Sequence, residues 1–389
     1  MQILTIDIGT GTQDIYLYDS RLDLENGFKL VAPSPTMLVH HQIKACTRRG
    51  EPLLLTGSIM GGGPSQWAAE AHRKAGFPVY ITPQAALSFN DDLEKVRAMN
   101  FKLISEEEAS ALSRRCTRIE LQDFNFSAIS RACAELGISL DNLDAVAVAV
   151  FDHGNAPPDI SDRQFRFDYL NERIQSSRGP NYSLSNFAFP TTAVPASMTR
   201  LQSIVHSARR DPLFPPALPL VVMDTAPAAV LGALFDPQLK AQQELLVANI
   251  GNFHTLAFRL GAGGIQGVFE HHTGLLDQAR LEHLLRSLAD GSLRHADVFE
   301  DHGHGALVYT SQPYDLTQGE FGVSVTGPRR SMLKSSSLRP YFPAPFGDMM
   351  IAGCFGLLAA TADVLPELSE TIRQSLAGAG GSGTPPWDA

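Results

Sequence analysis

The chain has 389 residues, 44% hydrophobic and 19% charged, too long for one ordinary core and too apolar for a disordered chain. A net charge of −10 without a long Lys/Arg block argues against nucleic-acid binding, which depends on neutralising phosphates. A small anionic ligand held by backbone N–H groups stays open.

The first elements in chain order are strands at 3–7 and 14–19. They flank Asp7-Ile8-Gly9-Thr10-Gly11-Thr12-Gln13-Asp14. The glycines permit a tight turn and a close backbone approach to a ligand, and the threonines add hydroxyl donors. Asp7, ending the first strand, is placed to hold a hydrated cation. Alone, the stretch reads equally as a phosphate-binding turn or as a plain hairpin.

A strand at 53–56, the glycine loop Gly57–Pro64, a helix at 65–74 and a strand at 79–82 follow. The loop suits an anion at a helix N-terminus or simply closes over the surface. It has neither GxGxxG nor the Lys-Ser/Thr of a P-loop. Residues 84–118 read as helical and polar, and a helix over 127–136 is closed by Gly137. The run "DAVAVAVFDHG" then fits a strand buried on both faces, with Asp152 and His153 at its carboxyl end. Asp152 reads either as a base or water-orienting acid or as a helix N-cap. This run and the apolar stretch 351–360 are both shorter than the ~20 residues of a membrane span.

From 155 to 219 prolines and polar residues multiply, with one helix expected at 197–209. This segment reads as an insertion or lid, with Phe165, Phe167, Tyr169, Phe187 and Phe189 available to pack. Regularity resumes with a strand ending at Asp224, which either caps the following Ala-rich helix or acts on a cation. A strand–turn–strand unit at 245–260 comes next, and the end from 377 to 389 reads as flexible. The four cysteines, Cys46, Cys116, Cys133 and Cys354, show no CxxC or CxxxCxxC spacing, so a thiolate metal site built on local spacing is not expected. Free thiols and the lack of an apolar signal segment predict a cytoplasmic protein.

"LLVANIGNFHTLAFRL" repeats the pattern of the opening stretch. Asp7-Ile8-Gly9 corresponds to Asn249-Ile250-Gly251, and Thr12 to Thr255. With these two hairpins, the chain resembles the superfamily of actin, the heat-shock chaperone ATPases, sugar kinases and acetate kinase, over roughly residues 1–365. Asp224–Ala229 looks like that superfamily's connecting helix, and Gly347–Gly353 like the segment near the adenosine. Asn249 departs from the usual Asp, and the adenosine segment has no clean Gly-Gly pair. "VTGPRRSML", "FPAPFGDMMIAGCFGLL" and "GSIMGGGP" more narrowly resemble an uncharacterised family labelled as pyruvate formate-lyase activating enzyme. That label implies a cysteine triad on a [4Fe–4S] cluster, whose spacing is absent here.

The resemblance implies an α/β protein with two ribonuclease-H-like domains in the actin-like ATPase fold, each a mixed five-stranded sheet flanked by helices. The expected bounds are 1–154 and 220–376, with 155–219 as insertion or lid. ATP and Mg²⁺ are the implied cofactors, with Asp7 orienting Mg²⁺ and Asp152 and Asp224 as further catalytic candidates. Gly9, Thr10, Gly11 and Thr12 would meet the phosphates from one side, Gly251, Asn252 and Thr255 from the other, and Gly347 and Asp348 would lie near the nucleoside.

Arg329 and Arg330, in a Gly-Pro turn, read as a substrate or phosphate contact or as a solvated turn. Asp301, His302 and His304 read as a transition-metal site or as surface histidines. Adjacent His271 and His272 should point to opposite faces of a strand. The expected activity is an ATP-dependent kinase, phosphotransferase or ATPase acting on a small acceptor. The alternatives are a nucleotide-regulated interaction protein and a His/Asp metal enzyme on the same fold. Neither nucleic acid nor a membrane is expected as partner.

Overall fold

The structure, a computed structural model, describes residues 1–176, 184–379, 384–385 and 387–388. Gln2–Ile8 and Thr12–Asp19 pair antiparallel, with Asp7 opposite Asp14, and Gly9 N donates to Thr12 O at 2.9 Å across the turn. Phe28–Pro33 adds to the outer side of the hairpin. Ala145–Val150 joins parallel to Gln2–Ile8, followed by Leu220–Asp224, also parallel. All six residues of Ala145–Val150 are buried, as a strand covered on both faces requires. Ala188–Pro190 closes the edge antiparallel, which makes the sheet six-stranded.

The second sheet repeats this order. Leu245–Ile250, His254–Gly261 and Gly264–His272 form the antiparallel meander, and Val323–Thr326 and then Pro340–Tyr341 add in parallel. Gly305–Val308 supplies a sixth strand, at the opposite edge from the extra strand of the first sheet. Two mixed sheets of one strand order, each opened by a hairpin, constitute the actin-like ATPase fold. The five strands expected in each are present with one edge strand added.

Several expectations are corrected. Residues 35–121 are not part of the first sheet but carry a separate four-stranded parallel sheet. It has its own core of Ile43, Leu53, Leu55, Val79, Ile81, Ile119 and Leu121 beneath the helices Pro35–Arg49 and Pro64–Lys74. Within 84–118, expected to be helical, lie short helices and the strand Lys102–Leu103, and Thr117–Leu121 is a strand beside Leu53–Gly57. Alternating burial of Ile119 and Leu121, together with that pairing, outweighs local propensity.

The described parts of the stretch 155–219 pack into the first sheet's core. Asp162–Ser176 and Thr199–Arg210 are helices, and Phe167, Leu170, Phe187, Phe189 and Leu201 are buried in the core of the first sheet. Burying such side chains contributes about 1.5–3 kcal/mol each, enough to integrate the segment. The strand expected to open the second domain, Leu220–Asp224, belongs to the first sheet. The chain also returns to that sheet at its end, where Phe355 and Leu358 of the helix Ala352–Val364 pack on Ile3, Tyr16 and Tyr18.

This return helix crosses the linker helix Thr225–Ala233 through Gly232 and Gly356. A Cβ on either would lie within 2 Å of a carbonyl oxygen of the other helix, so only glycine permits the approach. Much of the expected flexible end, 380–383 together with 386 and 389, lies outside the described residues. Among the described residues no helix is long and apolar enough to cross a membrane.

Candidate functional site

A cleft of about 710 Å³ separates the two sheets, walled by both hairpin turns, the glycine loop 61–63 and the start of the return helix. Of the residues expected at the site, Asp7, Gly9, Thr10, Gly11, Thr12, Asp152, Gly251, Asn252 and Arg330 line it. The two turns face each other closely: a Cβ on Gly11 would stand 3.0 Å from Asn252 Nδ2. Phe253, at the tip of the second turn, meets Trp67 edge-on at 5.6 Å and covers Gly63. Ser34 engages both carbonyls of the first turn, its Oγ donating to Thr10 O at 2.5 Å and its N–H to Gly11 O at 3.1 Å. That takes up two oxygens that would otherwise repel an anion.

Asp7 and Asp14 form an acidic pair on the first hairpin. Burial, then the Asp14 charge, pushes the Asp7 carboxyl up from 3.8 to about 7, against the hydrogen bond from Thr225 Oγ1 at 2.5 Å. Burial likewise pushes Asp14 up to about 6, and its Oδ1 is buried without a hydrogen-bond partner. Gly353 abuts Asp7, since a Cβ there would fall 1.9 Å from Asp7 Oδ2. Two neighbouring carboxyls whose pKa values are raised, one with an orphaned oxygen, are a donor set that a hard divalent cation would satisfy. The two carboxyls therefore fit a hard cation such as Mg²⁺.

The other two candidate acids cap helices. Asp152 Oδ2 accepts from the backbone N–H groups of Arg200 and Leu201 at 2.9 and 2.8 Å, and its Oδ1 accepts from Gly154 N at 2.8 Å. It caps the helix Thr199–Arg210, the second of the two roles read from the sequence, while lining the cleft. Asp224 lies outside the cleft, caps the linker helix through Ala226 N and pairs with Arg166 Nη1 at 2.5 Å. Arg166 Nε meets Glu270 Oε2 at 3.1 Å. One fully buried guanidinium thus joins an acid of the first sheet to an acid of the second. For Glu270, burial works upward, but Arg166 and the neighbouring imidazoles hold it well below the carboxylate range.

The remaining expected residues are dispersed. Thr255 is buried and bonds Thr273 Oγ1 at 2.9 Å. Gly347 and Asp348 lie outside the cleft, with Asp348 near Lys29 at 3.6 Å, while Met349 and Met350 line it. Arg329 is exposed and Arg330 half-buried.

The expected group Asp301, His302 and His304 does not assemble. Asp301 pairs with Arg280 at 2.8 Å and His271 at 3.4 Å, and His302 is held at φ 63° on an exposed turn. His304 instead meets His254 and His272, with ring centroids 4.8–5.1 Å apart. His271 and His272 do face opposite ways: His272 lines the cleft, while His271 reaches Asp301. Burial lowers His304 to about 3 and His272 to about 4.

Sequence reasoning missed Asp14 as a site residue, although hairpin register puts it directly across from Asp7. It also missed Arg166 and Glu270, 104 residues apart, for which no local signal exists. The cysteines do not fit a [4Fe–4S] cluster. Cys46, Cys133 and Cys354 are buried in three different cores, and among the described residues no group of three metal-ligating atoms includes a thiol.

No curated protein matches the chain in sequence. Solved structures similar to it include ethanolamine utilization protein EutJ from Carboxydothermus hydrogenoformans, at 12% identity and TM-score 0.31, over 92% of this chain and 89% of that one. The activator of 2-hydroxyisocaproyl-CoA dehydratase from Clostridium difficile, with bound ADPNP, shows 8% identity and TM-score 0.33 over 97% of both chains. ROK hexokinase from Thermus thermophilus shows 11% identity and TM-score 0.29, over 92% of this chain and 98% of that one. Likenesses this distant say nothing about activity. A family model does match across residues 60–332, well over half of the chain, and the protein belongs to that family, described as "Putative pyruvate format-lyase activating enzyme (DUF1786)".

Proposed function

We propose that the protein binds ATP with Mg²⁺ in the cleft and acts as a phosphotransferase or ATPase on a small acceptor. The observation that carries this reading is the Asp7–Asp14 pair, short of a cation, on a turn that faces a second turn of the same build. Asp7 and Asp14 would hold the Mg²⁺, and Gly9–Thr12 and Gly251–Asn252 would flank the phosphates. Arg330 offers a guanidinium from the opposite wall. Bound Mg²⁺ would supply neutralisation of phosphate charge, the main requirement of phosphoryl transfer. With Asp152 committed to backbone N–H groups, His153, 3.8 Å from Asp91 and lining the cleft, is a group placed to move a proton. Radical activation is no part of this reading, because the thiols do not converge.

A second reading, nucleotide-regulated binding without transfer, is favoured by one observation: Asp152, the cleft acid read as a base, caps a helix. Thermal melts with ATP, ADP and Mg²⁺ test the premise that both readings share. A nucleotide at 100 times its Kd stabilises by about 2.7 kcal/mol. Absence of any shift with every nucleotide tried overturns both. Release or transfer of the γ-phosphate then separates them.

A further inference from the structure

We propose that His254, His272 and His304 form a binding site for a divalent transition metal, with an open coordination position toward the cleft. Each offers a ring nitrogen, and the three nitrogens lie within 4.8 Å of one another. The fold delivers them from two directions. His254 opens its strand and His272 ends the next, and the two are direct cross-strand partners. His304 enters on the loop just before the strand Gly305–Val308, where its backbone N–H donates to Glu270 O at 2.9 Å. Arg163 Nη1 fixes that loop by donating to Gly303 O at 2.6 Å.

The ring of His304 points to a ligand independently of this geometry. It is 4% exposed, and neither Nδ1 nor Nε2 has a hydrogen-bond partner. An imidazole buried with both nitrogens unsatisfied is costly unless something else bonds to them. His254 is oriented in the way metal-binding histidines are. Its Nδ1 lies 3.0 Å from Glu270 Oε1, so an Nδ1–H donating to the carboxylate leaves Nε2 as the free lone pair. Phe151 stacks on the same ring at 4.1 Å and fixes its plane.

Three imidazoles select zinc, cobalt, nickel or ferrous iron over magnesium, which prefers oxygen. The site is therefore chemically distinct from the Asp7–Asp14 pair. Three protein ligands leave a fourth position free, and His254 and His272 both line the cleft. An oxygen ligand, either water or an anionic group of the acceptor, would complete the sphere from there.

Titration of the full chain with Co²⁺, without nucleotide, tests this by visible absorption and by metal content. One equivalent of Co²⁺ should bind with the intense bands of a four- or five-coordinate nitrogen site. His272→Ala should weaken binding by at least ten-fold, and Asp7→Asn should leave it unchanged. X-ray absorption at the metal edge of the wild type, which needs no variant, should show scattering from three imidazoles. The proposal is overturned by absence of binding below millimolar Co²⁺, by fewer than two imidazoles at the edge, by full binding in His272→Ala, or by its loss in Asp7→Asn. Because no nucleotide is present, failure here is separate from failure of ATP binding.

Discussion

In the first hairpin Asp7 faces Asp14, whereas in the second the same two positions hold Asn249 and Leu256. The backbones are alike: each turn is closed by a glycine N–H donating to a carbonyl three residues on, Gly9 to Thr12 and Gly251 to His254, both at 2.9 Å. Their chemistry has diverged. The first half gathers half-buried carboxyls suited to a hard cation. The second is neutral at the turn and gathers imidazoles behind it. A duplicated frame sets two turns against one cleft, and the side chains on each frame give the two halves different charge.

Uncoupling the halves should have the largest effect. Arg166→Ala leaves Asp224 and Glu270 buried without their shared cation, and denaturant unfolding should show a loss of about 3–5 kcal/mol. Arg166→Met, which leaves the same acids unpaired, should not recover it. Making the first hairpin like the second comes next. Asp7→Ala should remove the Mg²⁺-dependent part of the nucleotide shift in thermal melts, up to the about 2.7 kcal/mol available at 100 times Kd. Asn249→Ala should retain that part.

The acids also distinguish the halves by pH. Asp7 and Asp14 titrate above their unfolded values, at about 7 and about 6. The folded chain therefore keeps protons that the unfolded chain has released between about pH 4 and 7. Without Mg²⁺, stability should fall as pH rises through that window, and Asp7→Asn should flatten the fall. Mg²⁺ should stabilise more at pH 7.5 than at pH 5.5. The smallest effect belongs to Asp152→Ala. Loss of a cap should cost about 1 kcal/mol in unfolding experiments and leave nucleotide affinity unchanged. A selective loss of phosphate transfer with normal stability would return Asp152 to the catalytic machinery.

The hairpins were legible because strand alternation and Ile-Gly turns are local, and their repetition carries the actin-like fold. The buried strand Ala145–Val150 was legible for the same reason. The separate parallel sheet was not, since all four of its strands are five residues or fewer and lie among short helices. Local spacing also misdirected the metal reading. Asp301, His302 and His304 are neighbours in sequence, but only strand pairing brings His254 and His272 to His304. The span 155–219 looked irregular from its prolines, while the residues that dock it, Phe167 and Arg166, find their partners in other parts of the chain.

Calorimetric titration of ATP into the wild type and Asp7→Asn, each with and without Mg²⁺, tests the central claim most directly. The account predicts one site per chain in the wild type, tightened by Mg²⁺, and a site in Asp7→Asn that Mg²⁺ no longer tightens. Absence of ATP binding in the wild type, or an undiminished Mg²⁺ effect in Asp7→Asn, would contradict it.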